Sequence, residues 1–398
     1  MEIKILPNQF LLDDGTFDLD HALNFCGKIA GVCYSKEGFQ ALENEDVEKT
    51  NRRIKRTLTS GHHSVYDHVF INFDIKNIPK ILAMVLNNEK QYTTSEKSAR
   101  YTKFERQDVS IITEKEEELY NKWLDIFEEK IKKSYSNVYQ DSKIIKLAQE
   151  NARYLVSVFM PTEMIYTTSL RQINYIAAYM IKYISNVNKK TDSTNFETKL
   201  ANYMKEFITN LTDLNVLNAE LMKNEKNSSL SLFTTSINPD ESYFGDIYLT
   251  TYKGSLAELA QAQRHRTLNY QMEFLDKKEY FVPPILEDEK SLVEEWLEDI
   301  NSVKEVTPQG ELVLIKESGT YENFILKCKE RLCSAAQLEI MKQTRETLLQ
   351  YKDALEKTNH PLLQDIERYS HGARCTFDDY TCSNDCHFKE GKTLQRKI

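Results

Sequence analysis

Gln261-Ala262-Gln263-Arg264-His265-Arg266 places two arginines and a histidine in a row, directly after an apolar helical pattern. Gln261 and Arg264 are three residues apart, so they share one face of a helix. A continuing helix would spread the three basic residues over roughly 200°. They converge on one ligand only if the helix ends there and the chain turns. Two guanidiniums and an imidazole suit phosphate groups or an anionic ring, and an exposed basic patch is the alternative.

The composition is that of a globular protein. The chain has 398 residues, 40% hydrophobic and 28% charged, which is enough for two domains with their own cores. A net charge of −9 argues against a protein that coats duplex nucleic acid, so no nucleic-acid partner is expected. The lack of a long apolar run or a signal-peptide pattern predicts no membrane partner. Seven cysteines, an odd number, favour a reducing cytoplasmic location over a disulfide framework.

The apolar spacing predicts a mixture of helices and strands in which one order occurs twice. Helices are predicted at 17–32, 45–60, 78–86, 112–136, 143–160, 166–184, 196–211, 256–263, 287–300 and 321–355. Strands are predicted at 69–75 and 247–252, with an extended segment at 94–101. Strand, helix, motif, acidic helix and long helix follow one another in each half, which predicts an internal duplication. With a linker at 223–229, the predicted domains are 1–222, 223–362 and a Cys-rich tail at 363–398.

Two polar segments of the first half are candidate ligand sites. Residues 61–68 contain three histidines, for which hydrogen bonding to a cofactor or local capping is favoured over a metal. In an extended chain, Glu96, Ser98 and Arg100 point to the same side and could form one wall of a polar site. A solvated edge strand is the alternative for these three residues.

Two arginines interrupt apolar helical patterns. Arg153 is predicted to be either a snorkelling surface residue or a buried anion clamp. Arg171 lies in a pattern with almost no other charge, so it is expected to be buried with a partner or ligand.

The tail carries a possible zinc site. Cys375, Cys382 and Cys386 lie close together in the sequence, with His371 nearby. Three thiols and an imidazole are ligands that zinc prefers, although the spacings match no common Cys-x-x-Cys pair. The alternative is a set of unpaired thiols on a loop.

The basic triplet and the Glu-x-Ser-x-Arg-Tyr segment resemble two parts of one family signature. The flavin-dependent thymidylate synthases carry Arg-His-Arg followed by Ser, Asn-Glu, Ser and Arg-Tyr. This chain resembles that signature in two pieces: the second half has the triplet 264–266 with the family's glutamine as Gln261. The first half has the last part, at 96–101. The resemblance covers roughly residues 1 to 360.

Further family residues are divided in the same way. The family's Ala-Gln-x-Glu-Ile run is intact at 336–340, and Arg331 stands where the family has its pyrimidine-contacting arginine. The family's phosphate-binding arginine is matched in the first half by Arg153. The resemblance therefore implies one composite nucleotide site per chain, built across a pseudo-dimer interface. Because the family is tetrameric, it also implies self-association as a homodimer.

The resemblance implies an α+β fold and a defined chemistry. It implies two tandem thymidylate synthase-like domains, each with a small, mostly antiparallel sheet and long helices. The implied reaction is methylation of deoxyuridine monophosphate (dUMP) at C5, with methylenetetrahydrofolate, FAD and NADPH. Hydroxymethylation of the same nucleotide is one alternative. A non-catalytic nucleotide-binding subunit is another.

The resemblance also implies roles for individual residues. Arg331 is the implied catalytic residue, stabilising negative charge on the pyrimidine. The implied substrate-binding residues are Gln261, Arg264, Glu96, Ser98, Arg100 and Arg153. The implied FAD-binding residues are Cys33, His62, Ser64, Asp67, Arg171, Arg264, His265 and Arg266.

Overall fold

A computed structural model describes residues 1–97, 113–223, 232–383, 386 and 388–398. The predicted site residues Ser98 and Arg100 lie outside the described residues, as does nearly all of the predicted linker. The chain divides into two compact units. Unit 1 consists of residues 1–97 and 161–230, and unit 2 of residues 98–160 and 231–398.

Strands and helices are interspersed along the described chain. The strands are β1 (Glu2–Ile5), β2 (Phe70–Pro79), β3 (Tyr92–Glu96), β4 (Pro161–Ser169), β5 (Tyr243–Phe244), β6 (Ile247–Ser255), β7 (Asn269–Phe274) and β8 (Leu312–Thr320). The helices are α1 (Leu19–Ile29), α2 (Gln40–Glu43), α3 (Val47–Thr59), α4 (Lys80–Leu86), α5 (Glu114–Tyr135), α6 (Asp141–Ala152), α7 (Leu170–Lys189), α8 (Asn195–Asp213), α9 (Leu256–Ala262), α10 (Lys290–Ser302), α11 (Tyr321–Arg331), α12 (Leu338–Thr358), α13 (Leu363–Glu367) and α14 (Lys389–Lys392). None of these helices is long and apolar enough to cross a membrane.

Each unit contains one small antiparallel sheet, which confirms the predicted α+β class. Among the described residues, the four strands of unit 1 are ordered β1-β2-β4-β3, and those of unit 2 are ordered β5-β6-β8-β7. All neighbouring strands in both sheets pair in antiparallel register. Both sheets therefore have the same strand order along the chain. Two copies of one ancestral unit would share this order, so it supports the predicted duplication, which stays a prediction.

The central strands β4 and β8 were not predicted, and the helix prediction at 166–184 is wrong in its first part. Residues 161–169 form β4, and α7 begins only at Leu170. Tyr166 of β4 pairs with Phe73 on one side and Thr94 on the other. The apolar residues of β4 at 164–166 are consecutive and lead directly into the apolar pattern of α7, so the sequence shows no clear boundary between strand and helix. The helix predicted at 143–160 likewise ends at Ala152.

The predicted helix at 321–355 is interrupted. Helix α11 ends at Arg331, and α12 begins at Leu338. The tail satisfies backbone carbonyls in this break: the Arg374 N–H donates to the Leu332 oxygen at 2.6 Å, and Arg396 Nη2 donates to the Ala336 oxygen at 2.5 Å. The break thus depends on hydrogen bonds with residues more than 40 positions away, which local sequence does not encode.

Helices α5 and α6 belong to unit 2, although the predicted domain boundary groups them with the first half. In the core of this unit, the Trp123 ring of α5 lies at 88° to the Trp296 ring of α10, with centroids 4.9 Å apart. Asp299 of α10 accepts hydrogen bonds from Lys122 and from the Trp123 indole. Arg153, which follows α6, therefore belongs to unit 2. The domain boundaries drawn from the repeat stay a prediction.

Candidate active site

The basic triplet 264–266 follows the end of a short buried helix. Such a helix end was the condition for the three basic side chains to converge on one ligand. Helix α9 runs from Leu256 to Ala262, with Ser255 as its N-cap residue. The chain then turns, with the His265 N–H bonded to the Ala262 oxygen at 2.9 Å. His265 is buried, Arg264 is partly buried and Arg266 is exposed. The three side chains therefore do not form a simple exposed patch.

Arg331 and His265 are in direct contact. Arg331 Nε donates a hydrogen bond to His265 Nε2 at 2.7 Å. Burial, together with the charges of Arg331 and Lys327, places the pKa of His265 well below its ordinary value. A neutral imidazole that accepts at Nε2 carries its proton on Nδ1. His265 thus holds a guanidinium in place without adding a second positive charge.

A chain of hydrogen bonds connects α9 with α12 and with the segment after α6. Gln261 Nε2 donates to Gln337 Oε1, and Gln337 Nε2 donates to the Tyr154 hydroxyl. The Tyr154 hydroxyl donates to Glu339 Oε2 at 2.8 Å. Ser255 donates to the same carboxylate through its backbone N–H, at 2.8 Å, and its hydroxyl, at 2.6 Å. We call these five residues the Gln–Tyr–Glu network.

Arg153 lies beside this network. It is 8% exposed, so the buried alternative is confirmed and the snorkelling alternative is wrong. Burial raises the pKa of Glu339, while hydrogen bonds from Ser255 and Tyr154 and the charge of Arg153 oppose that rise. Arg153 and Tyr154 come from the first predicted half, and Gln261 and Glu339 come from the second. Unit 2 therefore brings together residues that are far apart in the sequence.

Unit 1 holds another group of predicted site residues. Arg171 Nη1 donates to Asp67 Oδ2 at 2.7 Å, and the Ser169 hydroxyl donates to Asp67 Oδ1 at 2.6 Å. Arg171 was expected to be buried with a partner; its side chain is 29% exposed, and Asp67 is a partner. The other residues with an implied FAD role in this unit are exposed: Cys33, His62 and Ser64.

Glu96 is held inside unit 1. Its side chain is fully buried, and Lys80 Nζ lies 2.5 Å from its Oε1. Asn87 Nδ2 donates to Glu96 Oε2 at 3.4 Å. Glu96 belongs to β3 and is therefore in extended chain, as predicted.

Sequence reasoning missed several polar residues that surround Arg331. Lys327, one helical turn before Arg331 on α11, forms a fully buried ion pair with Glu317 at 2.6 Å. Glu258 of α9 is also fully buried. The available signal was the presence of charged residues in apolar patterns: Glu258 interrupts the apolar run before Gln261, and Lys327 follows Phe324 and Ile325.

The tail cysteines do not form a recognisable metal centre in the described part of the chain. No group of three or more His, Cys, Asp or Glu side chains there could hold a metal ion. Cys375 is partly buried, whereas Cys382, Cys386 and His371 are exposed. Burial raises the pKa of the Cys375 thiol, and the thiols of Cys382 and Cys386 add to the rise. The thiols are thus close enough to interact, and zinc stays a prediction.

Comparison with known proteins shows a relationship over the first half of the chain. A family model described as "Thymidylate synthase complementing protein" matches residues 18–181. The flavin-dependent thymidylate synthase of Pyrococcus furiosus is 28% identical over 148 residues, which cover 36% of this chain and 57% of that protein. This part of the chain is similar in sequence to flavin-dependent thymidylate synthases. The Thermococcus onnurineus thymidylate synthase is 27% identical over the same shares of both chains.

The relationship to the thymidylate synthases is partial. The chain spans 57% of the length of these two relatives. The residues that the family model matches include Arg153 and Arg171, but the match ends before Gln261 and Arg331. A crystal structure of thymidylate synthase X from Helicobacter pylori, with FAD and dUMP, is 16% identical. It covers 57% of this chain and 98% of its own, with a TM-score of 0.32.

Proposed function

We propose that this chain catalyses flavin-dependent methylation of dUMP at C5, with methylenetetrahydrofolate as the carbon donor and NADPH as the reductant. The pairing of Arg331 with a neutral His265, in the unit that holds the Gln–Tyr–Glu network, is the observation that carries the proposal. A guanidinium fixed in this way suits a pyrimidine that gains negative charge as C5 becomes nucleophilic. The relationship over residues 18–181 supports the same reaction.

The residues of unit 2 have complementary roles in this reaction. Arg331 stabilises charge on the pyrimidine, and Arg153 binds the phosphate. Gln261 and Arg264 orient the nucleotide, with Gln261 itself held by Gln337. A fixed orientation of the reacting groups lowers the entropic part of the barrier. Nucleotide binding by Glu96, Ser98 and Arg100 stays a prediction from the sequence.

The chemistry of the polar residues in unit 1 fits a dinucleotide cofactor. Arg171 donates a hydrogen bond to Asp67 from one Nη atom. A guanidinium has five N–H donors in all, so Arg171 can bind phosphate oxygens as well. The exposed side chains of His62 and Ser64 are further donors, and Cys33 is exposed in the same unit. FAD, when bound, supplies hydride. Contact of His265 and Arg266 with FAD stays a prediction from the sequence.

A spectroscopic titration tests the proposed function. The purified protein should be yellow, absorbing at about 450 nm, and dUMP should shift this flavin spectrum. Mass spectrometry of the nucleotide product separates methylation from hydroxymethylation. A colourless protein that binds dUMP without turnover would favour the non-catalytic alternative, and a protein that binds neither ligand would contradict the proposal.

We further propose that the residues of unit 2 form one working nucleotide site within each chain, and that the chains associate as homodimers. Arg153→Ala and Arg331→Ala should each lower turnover to about one per cent of the wild-type rate or less, because each removes a guanidinium from that site. A mixture of the two variants should stay at this low level, since neither chain has both arginines. Assays of the mixture, after denaturation and joint refolding, measure this. Recovery of about a quarter or more of the wild-type rate would mean that two chains share each site.

A further inference from the structure

Glu258 is a buried carboxyl group that the proposed reaction does not use. The residue is fully buried on α9, three residues before Gln261. Neither of its carboxyl oxygens has a hydrogen-bond partner among the described residues. Buried polar groups usually have partners, so a buried carboxyl group without one calls for an explanation.

The helix start explains why Glu258 lacks the usual bond. Ser255-x-x-Glu258 matches the capping-box sequence, in which the glutamate side chain binds the N–H of the cap residue. Thr113 with Glu116 and Thr194 with Glu197 form this box. At α9, the carboxylate of Glu339 takes the role of the capping-box glutamate and accepts the hydrogen bond from the Ser255 N–H. The Glu258 side chain therefore does not bind the helix start, and its carboxyl group lies buried in the interior.

The backbone next to Glu258 leaves room for its carboxyl group. A Cβ atom on Gly254 would lie 3.0 Å from Glu258 Oε2 and 2.9 Å from the Ile315 Cδ1 atom. Contacts this short are tighter than ordinary van der Waals packing. The glycine therefore permits the close approach of Glu258.

Charged and titratable groups on four neighbouring elements interact electrostatically with Glu258. Lys327 and Arg331 belong to α11, Glu317 to β8, Glu339 to α12 and Tyr252 to β6. Burial raises the pKa of Glu258 to about 8; Glu339 and Glu317 add to the rise, and Lys327 and Arg331 oppose it. Near neutral pH, Glu258 is therefore mostly protonated and uncharged.

We propose that Glu258 is a positioning residue whose proton controls how strongly Arg331 binds an anionic nucleotide. The inference rests on the proposed function, because it takes dUMP as that nucleotide. With the proton in place, Glu258 adds no negative charge near Arg331. When the proton leaves, the new carboxylate competes with the ligand for the guanidinium in a medium where charges are weakly screened.

Calorimetric titration with dUMP tests this role. Glu258→Gln keeps the shape of the side chain and fixes it in an uncharged state. Between about pH 7 and about pH 9, the Kd of the wild-type protein should rise roughly tenfold more than that of Glu258→Gln. Ionisation of the uracil ring affects both proteins equally. Glu279→Gln removes an exposed partner of Lys253 and should behave like the wild type.

Thermal unfolding provides a second readout that needs no nucleotide. Because burial raises the pKa of Glu258, its stabilising proton is lost as pH rises toward and through about 8. The Tm of the wild type should therefore fall with rising pH more steeply than that of Glu258→Gln. Equal slopes would overturn the inference. Equal pH dependence of dUMP binding would also overturn it while leaving the proposed function intact, whereas no binding at any pH overturns both.

Discussion

We expect Arg331→Ala to lower kcat/KM for dUMP methylation by on the order of 10²–10³-fold. The Arg331 side chain is 16% exposed, and its Nε donates a hydrogen bond to His265 at 2.7 Å. A donor fixed in a partly dry site stabilises developing charge without reorganising during the reaction. Alanine removes that charge and also leaves His265 without its hydrogen-bond donor. Steady-state kinetics with dUMP as the varied substrate measure the change.

Two further substitutions separate the charge of Arg331 from its geometry. Arg331→Lys keeps a positive charge but lacks the planar fork that can bind His265 and a ligand together, so most of the loss should remain. Lys329→Ala is a matched control on the same helix, because Lys329 forms a partly exposed ion pair with Asp379 at 2.6 Å. It should leave kcat/KM within about threefold of the wild type. Near-normal kinetics of Arg331→Ala would exclude Arg331 from the reaction.

Two of the four inner strands, β2 and β6, were predictable from the sequence, whereas the other two, β4 and β8, were not. β2 and α4 follow the alternating and helical apolar patterns that predict them. β4 and β8 are each paired on both sides, but so are β2 and β6, so pairing does not set them apart. The consecutive apolar residues of β4 at 164–166 lead directly into those of α7, which hides the boundary between strand and helix. The α+β class could therefore be predicted, but the full strand order required the pairing itself.

The contact between Arg331 and His265 shows a similar limit. The resemblance to a known family named both residues, but their hydrogen bond depends on the end of α11 at Arg331. That end is fixed by tertiary bonds from Arg374 and Arg396 to the following break, which contains neither glycine nor proline. Sequence patterns give no signal for such a helix end, so a continuous helix was predicted.

Glu258 could not be assigned from the sequence for another reason. Its spacing from Ser255 predicts an ordinary capping box. The competing carboxylate, Glu339, lies 84 positions from Ser255 in the chain. Only the fold shows which of the two carboxylates binds the helix start, and therefore which one remains without hydrogen bonds in the interior.

The second large effect concerns stability: Lys327→Met should reduce the free energy of unfolding by about 3–5 kcal/mol. Lys327 and Glu317 are both fully buried, and Nζ lies 2.6 Å from Oε2. Glu317 also accepts hydrogen bonds from Tyr248 at 2.6 Å and Tyr252 at 3.0 Å. Removing the lysine leaves a buried carboxylate with two neutral donors and no opposing charge in direct contact. Urea denaturation followed by circular dichroism measures the loss.

A double variant distinguishes the loss of the ion pair from the loss of packing. Lys327→Met with Glu317→Gln removes both charges, so no isolated charge remains buried and a substantial part of the stability should return. Lys329→Met, two residues along the same helix, breaks only a partly exposed pair and should cost less than about 1 kcal/mol. If the double variant is as unstable as Lys327→Met alone, the lysine stabilises the fold through packing. The hydrogen bonds from Tyr248 and Tyr252 would then be enough to stabilise the buried carboxylate of Glu317 in the absence of Lys327.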